Sequence, residues 1–194
     1  MKLTESTYLK LRDDIFNARY HPNELITERQ IAEKYNISKL TAGEVLHRLC
    51  SEGHLTSYPR SGYMVTTLTP GEIEQIKKIR FALESLALDE ICESASNEDI
   101  QELYQYILDT PEAETNPTEA NTKFHLALVA IANDRFLLKM VQDLIGTLSR
   151  VEHHIPQQRQ AVWQNEHIEI LKALTDRSAE EAREHLRKDL DQVH

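Results

Sequence analysis

The amino-acid sequence predicts a mainly α-helical protein in two parts, with one short β-hairpin at the end of the first part. Apolar residues recur at helical spacing over most of the 194 residues. One stretch, 53–65, instead combines strand-forming residues with a Pro59-Arg60-Ser61-Gly62 turn. Charge also divides the chain: residues 1–68 carry nine Lys/Arg and eight Asp/Glu, whereas residues 69–194 carry thirteen and twenty-four.

The first part is predicted to contain three helices. Residues 4–17 have apolar side chains at helical spacing. Thr27 is followed three residues later by Gln30, a capping box that begins a second helix. Asn36 ends that helix, and Ser38 is a suitable N-cap for a third. Two short helices joined by a tight turn and followed by a hairpin form a winged helix-turn-helix, a DNA-binding fold.

The third helix is predicted to be amphipathic. One group of residues recurs at helical spacing and is expected on its buried side: Leu40, Val45, Leu46 and Leu49. Small and polar residues are expected on its exposed side: Lys39, Thr41, Gly43, Glu44 and His47. We therefore expect this helix to present a groove-sized polar face to DNA.

The second part is predicted to be an all-α antiparallel bundle of six helices over residues 69–194, after a winged helix-turn-helix domain over residues 1–68. Thr69, Pro70 and Glu72 provide an N-cap, a proline at the first helical position and a capping box. Five further helix starts lie near residues 96, 117, 135, 158 and 178, with no strand-like alternation between them. Phe136 and Met140 are expected in the core of the bundle.

The composition restricts the class of protein. The formal net charge of −10 argues against a nucleic-acid partner, but the acidity belongs to the second part and leaves the first free to approach phosphates. Cys50 and Cys92 fit neither a disulfide framework nor a zinc motif, which favours a reducing compartment. No apolar export signal and no stretch of ~18 apolar residues is present. We expect a cytoplasmic protein with no membrane partner.

Residues 11–65 resemble the winged-helix domain of GntR-family bacterial repressors, on the motifs 23–25, 28–32, 37–39 and 44–46. The second part resembles the helical ligand-binding domain of the FadR branch of that family, called FCD, in its VanR-like six-helix version. Four short motifs carry this second resemblance: Arg80-Phe-Ala-Leu-Glu84, Phe124-His125, Ala132-Asn133 and Glu166-His167. The resemblance implies a homodimeric repressor that binds a duplex operator and responds to a small carboxylate-bearing effector.

The resemblance also implies a DNA-binding set. Lys39, Leu40 and Thr41 would open the recognition helix in the major groove, and Arg60 at the wing turn would enter the minor groove. Gly43 departs from the family pattern, since the family usually has arginine there and so gains a bidentate contact to guanine. The full set is Arg29, Ser38, Lys39, Leu40, Thr41, Gly43, His47, Arg60 and Gly62.

Polar residues in the second part form a candidate site. Asn121 and His125 lie one turn apart and leave the same face of a helix, while His167 and Asp189 lie on later helices. Imidazole and carboxylate ligands suit Zn, Mn or Ni. Related domains that bind metal use one Asp and three His, so Asn121 stands at the Asp position and Asp189 at the last His position. The alternative is that the two histidines only line a ligand cavity or are hydrogen-bonded within the core.

Two arginines lie on long apolar helices, where a guanidinium needs a partner. Arg80 could clamp the carboxylate of an effector or pair with Glu84 one turn later. The predicted effector-binding set is Arg80, Asn121, His125, Arg150, His167 and Asp189.

We expect a regulator and no enzyme. One alternative is a small metal-dependent hydrolase that uses His125 and His167, with Glu166 considered as general base. Another is a pure interaction module.

Overall fold

A computed structural model of the chain describes residues 3–17, 19–21, 24–109, 117–152 and 163–192. Within these ranges it is mainly α-helical, as predicted. The chain forms two compact units, and the division after the first falls between Leu68 and Thr69. Each unit has its own hydrophobic core.

The first unit contains three helices and a two-stranded antiparallel sheet. Its elements in chain order are α1 (Leu3–Phe16), α2 (Glu28–Tyr35), α3 (Lys39–Ser51), β1 (Leu55–Tyr58) and β2 (Gly62–Val65). Leu55 pairs with Val65 and Tyr58 with Gly62, so the hairpin closes over residues 59–61. The predicted winged helix-turn-helix is therefore confirmed.

A polar cluster joins α1 to α2 in this unit. The carboxylate of Asp14 accepts hydrogen bonds from Lys34 Nζ and from the hydroxyl of Tyr35, both at 2.7 Å. Arg19 donates to its other oxygen at 2.8 Å. Burial opposes ionisation of Asp14, but these donors outweigh it, and the pKa of the carboxyl group is lowered. Asp14 thus holds α2 against the end of α1.

The second unit is a bundle of six helices within the described residues. They are α4 (Pro70–Ser94), α5 (Asn97–Asp109), α6 (Pro117–Ile131), α7 (Arg135–Glu152), α8 (Trp163–Thr175) and α9 (Ala179–Gln192). The predicted capping box of Thr69 and Glu72 begins α4. Helix α9 runs antiparallel to α4, since Arg183 pairs with Asp89 and Arg187 lies over the ring of Phe81. The start that was predicted near residue 158 lies outside the described residues, and α8 is described from residue 163.

Helix α7 differs from the prediction on one face. Leu137, Val141 and Ile145 pack in the core with Val129 of α6 and Ala87 of α4. Phe136 and Met140, which were expected in the core, are 67% and 52% exposed. The inner stripe of α7 follows 137, 141 and 145, and the two exposed residues lie beside it on the outer side. None of the described helices combines the length and the apolar character needed for crossing a membrane.

Candidate DNA interface and buried polar site

Helix α3 is held by its N-cap and by its buried face. The hydroxyl of Ser38 accepts the backbone N–H of Thr41 at 3.0 Å and lies 2.9 Å from the hydroxyl of Thr41. Asn36 adopts a left-handed conformation with φ of 52°, which turns the chain between α2 and α3. The face of α3 that packs in the core consists of Ala42, Val45, Leu46 and Leu49. The opposite side of the helix is therefore available to DNA.

The wing is fixed against the segment that precedes α2. Ile26 and Tyr63 exchange two backbone hydrogen bonds of 2.7 and 2.8 Å. This close approach requires glycine at position 62, because a Cβ there would lie 2.5 Å from the carbonyl oxygen of Ile26. Gly62 also has a φ of 138°, which side-chain-bearing residues rarely adopt. At the tip, exposed Arg60 has a φ of 66°, as the third residue of a type II turn requires.

A cleft of about 470 Å³ lies between α2, the start of α3 and the wing. Its cationic side chains are Arg29, Lys39 and Arg60, and His47 also lines it. Arg29 is exposed and forms an ion pair with Glu33 at 2.8 Å, which a phosphate could replace. The excess of cationic side chains in this cleft suits a polyanion.

The structure brings most of the predicted DNA-binding set to this side of the unit. Arg29, Lys39, His47, Arg60 and Gly62 line the cleft. Ser38 and Leu40 are exposed beside it, whereas Thr41 is half-buried. The prediction that Leu40 is on the buried side of α3 is wrong, since 76% of its surface is exposed. Leu40 precedes the first core residue of the helix, Ala42, and takes no part in the hydrophobic core.

Gly43 was expected on the exposed side of α3, and this prediction is also wrong. Gly43 is buried because Glu28 of α2 lies over it: a Cβ at position 43 would be 3.3 Å from Glu28 Oε1. The other carboxylate oxygen of Glu28 lies 3.7 Å from Lys39 Nζ. Sequence reasoning missed Glu28 because an acidic residue in the first turn of a helix usually needs no further explanation.

The second site is a row of buried polar side chains across four helices of the bundle. Arg80 of α4 is 2% exposed, and its Nε donates to Glu84 Oε1 at 2.8 Å. The other oxygen of Glu84 lies 2.7 Å from Nδ1 of His125 on α6. His125 Nε2 lies 2.9 Å from one oxygen of Asp189 on α9, and His167 Nε2 of α8 lies 3.2 Å from the other oxygen.

The ligand atoms of His125, His167 and Asp189 converge. One ligand atom from each lies within 4.8 Å of the others, and all three residues are buried. The two oxygens of Asp189 have close imidazole neighbours but no contact with hydrogen-bond angles among the described residues. Asn121 Oδ1 and Arg80 Nη2 are also buried without a hydrogen-bond partner there. Buried polar atoms of this kind need a partner, which a bound ligand, an ion or a buried water would supply.

Burial and neighbouring charges set the protonation states. Burial opposes the imidazolium of His125, but the carboxylates of Glu84 and Asp189 raise its pKa to about 9. Burial lowers the pKa of His167 to about 4, so this imidazole is neutral near pH 7. Burial alone would raise the pKa of Asp189, yet His125 and His167 hold it below its usual range. His167 and Asp189 are therefore in the forms that bind metals, whereas His125 would have to give up its Nε2 proton to a metal ion.

The structure brings most of the predicted effector and metal residues into one buried region. Four of them form or flank the convergent cluster: Asn121, His125, His167 and Asp189. Arg80 pairs with Glu84, as the second of its two alternatives predicted. The side chain of Arg150 lies outside the described part of the chain. The link from Glu84 to His125 was missed, because Glu84 was considered only as a partner for Arg80.

The hydrolase alternative has no support in this geometry. Glu166, which was considered as its general base, lies 2.7 Å from Nδ1 of His185 and is engaged there. Hydrolysis at a metal requires a base directed at a metal-bound water beside the two histidines. Neighbouring residues on a helix point about 100° apart, which explains why Glu166 diverges from His167.

A winged helix-turn-helix with a cationic cleft, followed in the same chain by a helical unit with a buried polar site, defines a class of DNA-binding transcriptional regulator. The comparisons agree. The FCD domain model matches residues 75–192, and the model of bacterial regulatory proteins of the gntR family matches residues 3–65. The chain belongs to the GntR family of bacterial transcriptional regulators, with an FCD domain.

Individual relatives agree with this membership. The chain is 31% identical over 188 residues to YdhC, an HTH-type transcriptional regulator of Bacillus subtilis, covering 92% of this chain and 84% of YdhC. It is 23% identical to the HTH-type transcriptional repressor RspR of Escherichia coli, covering 92% and 81%. The structure of E. coli McbR/YncC matches with a TM-score of 0.83 at 21% identity, covering 99% of this chain and 95% of that one, which shows a shared fold.

Proposed function

We propose that this regulator is a homodimeric repressor whose binding to a near-palindromic operator is controlled by a small carboxylate-bearing effector in the buried site of the second unit. The observation that carries the proposal is the convergence of His125, His167 and Asp189, with unsatisfied atoms of Asn121 and Arg80 in the same buried set. A repressor is favoured because the relative RspR carries that name. We also infer a cytoplasmic protein, since the DNA of a bacterium lies in the cytoplasm.

A divalent metal fits the donor set of the buried site. His125, His167 and Asp189 would hold it, and Asn121 Oδ1 would be a further, weaker neutral ligand. Zn, Mn or Ni would supply a Lewis acid that attracts a carboxylate. Arg80 Nη2 is a buried donor without a hydrogen-bond partner among the described residues, and a guanidinium matches a carboxylate. These features favour an organic acid over a neutral effector.

The homodimer follows from how a recognition helix reads DNA. One recognition helix reads a half-site, and two-fold symmetry supplies the second. Phe136 and Met140, exposed on the outer side of α7, provide an apolar face for a second copy. Phe136→Asp should therefore shift the protein from dimer to monomer in sedimentation, whereas Leu3→Ala, at an exposed leucine of α1, should leave it dimeric. If the Phe136→Asp variant remains a dimer, this face of α7 is not the dimer interface.

Control of DNA binding requires two arrangements of the protein that the effector stabilises unequally. The buried site joins α4, α6, α8 and α9, so a ligand there contacts four helices at once. An effector that binds one arrangement better shifts the population towards it, and the affinity for the operator changes with that population.

Metal analysis tests the buried site. Purified protein should retain a divalent metal after dialysis, and the double variant His125→Ala, His167→Ala should lose it while remaining folded by circular dichroism. His185→Ala is the matched control, because His185 pairs with Glu166 outside the convergent cluster. Equal metal content in the wild type, the double variant and His185→Ala would show that His125 and His167 hold no metal ion. If a carboxylate effector still changed the operator affinity of the double variant, the effector would not bind in this buried site.

A further inference from the structure

Leu40 is an isolated apolar side chain on the DNA-facing side of α3. It is the second residue of the helix, and 76% of its surface is exposed. Ser38 and Lys39 before it and Glu44 one turn after it are also exposed and polar. Exposed leucines occur elsewhere in the chain, Leu3 among them, so exposure alone indicates no partner. What distinguishes Leu40 is its position in the first turn of α3, where burial of its side chain against a base edge would be favourable.

A second protein is a poor partner for this position. Protein interfaces bury a patch of many residues with an apolar centre, whereas Leu40 is surrounded by a cation, a carboxylate and a hydroxyl. Lys39 beside it pairs only at 3.7 Å with Glu28, which leaves the ammonium group able to reach a phosphate. Lys39 is therefore the neighbour of Leu40 that suits a DNA phosphate.

In the major groove the apolar group on a base edge is the C5-methyl of thymine. The residues at the start of a recognition helix contact base edges. Position 43, one turn after Leu40, has no side chain and is covered by Glu28, so no arginine reaches from there to a guanine. We propose that Leu40 selects a thymine in each operator half-site by packing against its C5-methyl group. This proposal rests on the proposed insertion of α3 into the major groove.

Replacement of thymine by deoxyuridine tests the contact, because it removes only the methyl group. The wild-type chain is first used to select duplexes from a random pool, and each symmetry-related pair of thymines in the selected duplex is then replaced. Replacement of one particular pair of thymines should weaken binding by the wild-type chain, whereas replacement of the other pairs should not. The expected loss is about 4-fold for each half-site, which corresponds to one buried methyl group, and so about 15-fold for the two half-sites together. Leu40→Ala should bind the two duplexes equally.

The controls separate this proposal from the proposed function. Leu3→Ala removes an exposed leucine from α1 and should keep the preference for thymine. A wild-type chain that binds the selected duplex but never distinguishes thymine from deoxyuridine would overturn the assignment of Leu40 alone, as would a preference that persists in Leu40→Ala. If no duplex were enriched and binding to the pool did not weaken with salt, the proposed insertion of α3 into DNA would be wrong. The assignment of Leu40, which depends on it, would then be wrong as well.

Discussion

Glu84 Oε2 lies 2.7 Å from Nδ1 of His125, and both side chains are fully buried. With its pKa raised to about 9, His125 carries a proton on both ring nitrogens near pH 7. A metal that displaced the Nε2 proton would leave the Nδ1 proton shared with Glu84 and the Nε2 lone pair directed into the convergent cluster. Carboxylates that contact metal-binding histidines in this way fix the tautomer and strengthen the ligand. Arg80 in turn holds the other oxygen of Glu84, so the orientation of His125 is set from α4.

Glu84→Gln should weaken metal binding by about 10- to 100-fold, because the amide orients His125 less firmly and does not stabilise positive charge on it. The affinity is measured by competition with a chromophoric chelator. Glu166→Gln is the control, since Glu166 contacts His185 and lies outside the buried row. An unchanged metal affinity in Glu84→Gln would show that Glu84 contributes only to the ion pair with Arg80.

Asn121→Asp should strengthen metal binding, because it exchanges a neutral amide for a carboxylate one turn from His125 on the same face of α6. Asn121→Ala should instead weaken metal binding, because it removes the amide oxygen altogether. The same chelator competition measures both variants. Equal affinities for the wild type, Asn121→Asp and Asn121→Ala would place Asn121 outside the ligand set.

Gly43→Ala should raise the stability of the first unit by roughly 0.5–1 kcal/mol, since alanine favours a helix interior over glycine. The added Cβ would meet the end of the Glu28 side chain at 3.3 Å, and this flexible, half-buried carboxylate has room to shift. Urea denaturation followed by circular dichroism measures the change. A destabilised variant would show that the contact of Glu28 with Gly43 is rigid.

Asp14→Asn should destabilise the protein at neutral pH by about 1–3 kcal/mol, since it weakens charge-assisted hydrogen bonds from Lys34 and Arg19. The pKa of Asp14 is lowered in the folded state, so its carboxylate stabilises the protein above the unfolded pKa of about 3.9. This stabilisation is lost as the pH falls through the folded pKa. The difference in thermal midpoint between variant and wild type should therefore narrow below about pH 4. Asp13→Asn, at an exposed carboxylate, should follow the wild type at every pH.

Local sequence signals predicted the elements well, and contacts between elements explain what they missed. The capping boxes at Thr27 and Thr69 depend on residues three positions apart, so the sequence contains the whole interaction. The burial of Gly43 depends on Glu28 of another helix, which no periodicity within α3 reveals. Leu40 and Phe136 were misplaced for a related reason: apolar character at helical spacing predicts burial, whereas single large apolar residues are often left on a protein surface.

The sequence predicted most residues of the buried site but not the contacts that join them across helices. Helical spacing placed Asn121 and His125 on one face, and the resemblance added His167 and Asp189. The contact between Glu84 and His125 joins residues 41 positions apart on different helices. Spacing along one helix predicts only the i,i+4 pair of Arg80 with Glu84.

The salt dependence of binding to a mixed duplex pool tests the central claim most directly. Two copies that each contribute Arg29, Lys39 and Arg60 would neutralise about six phosphates, so log K should fall with log[salt] with a slope near −5. The affinity would then drop about 10³-fold between 50 and 200 mM salt. The triple variant with alanine at these positions should show a much shallower slope. An affinity of the wild-type chain that is independent of salt, or a triple variant with the wild-type slope, would contradict DNA binding through this cleft.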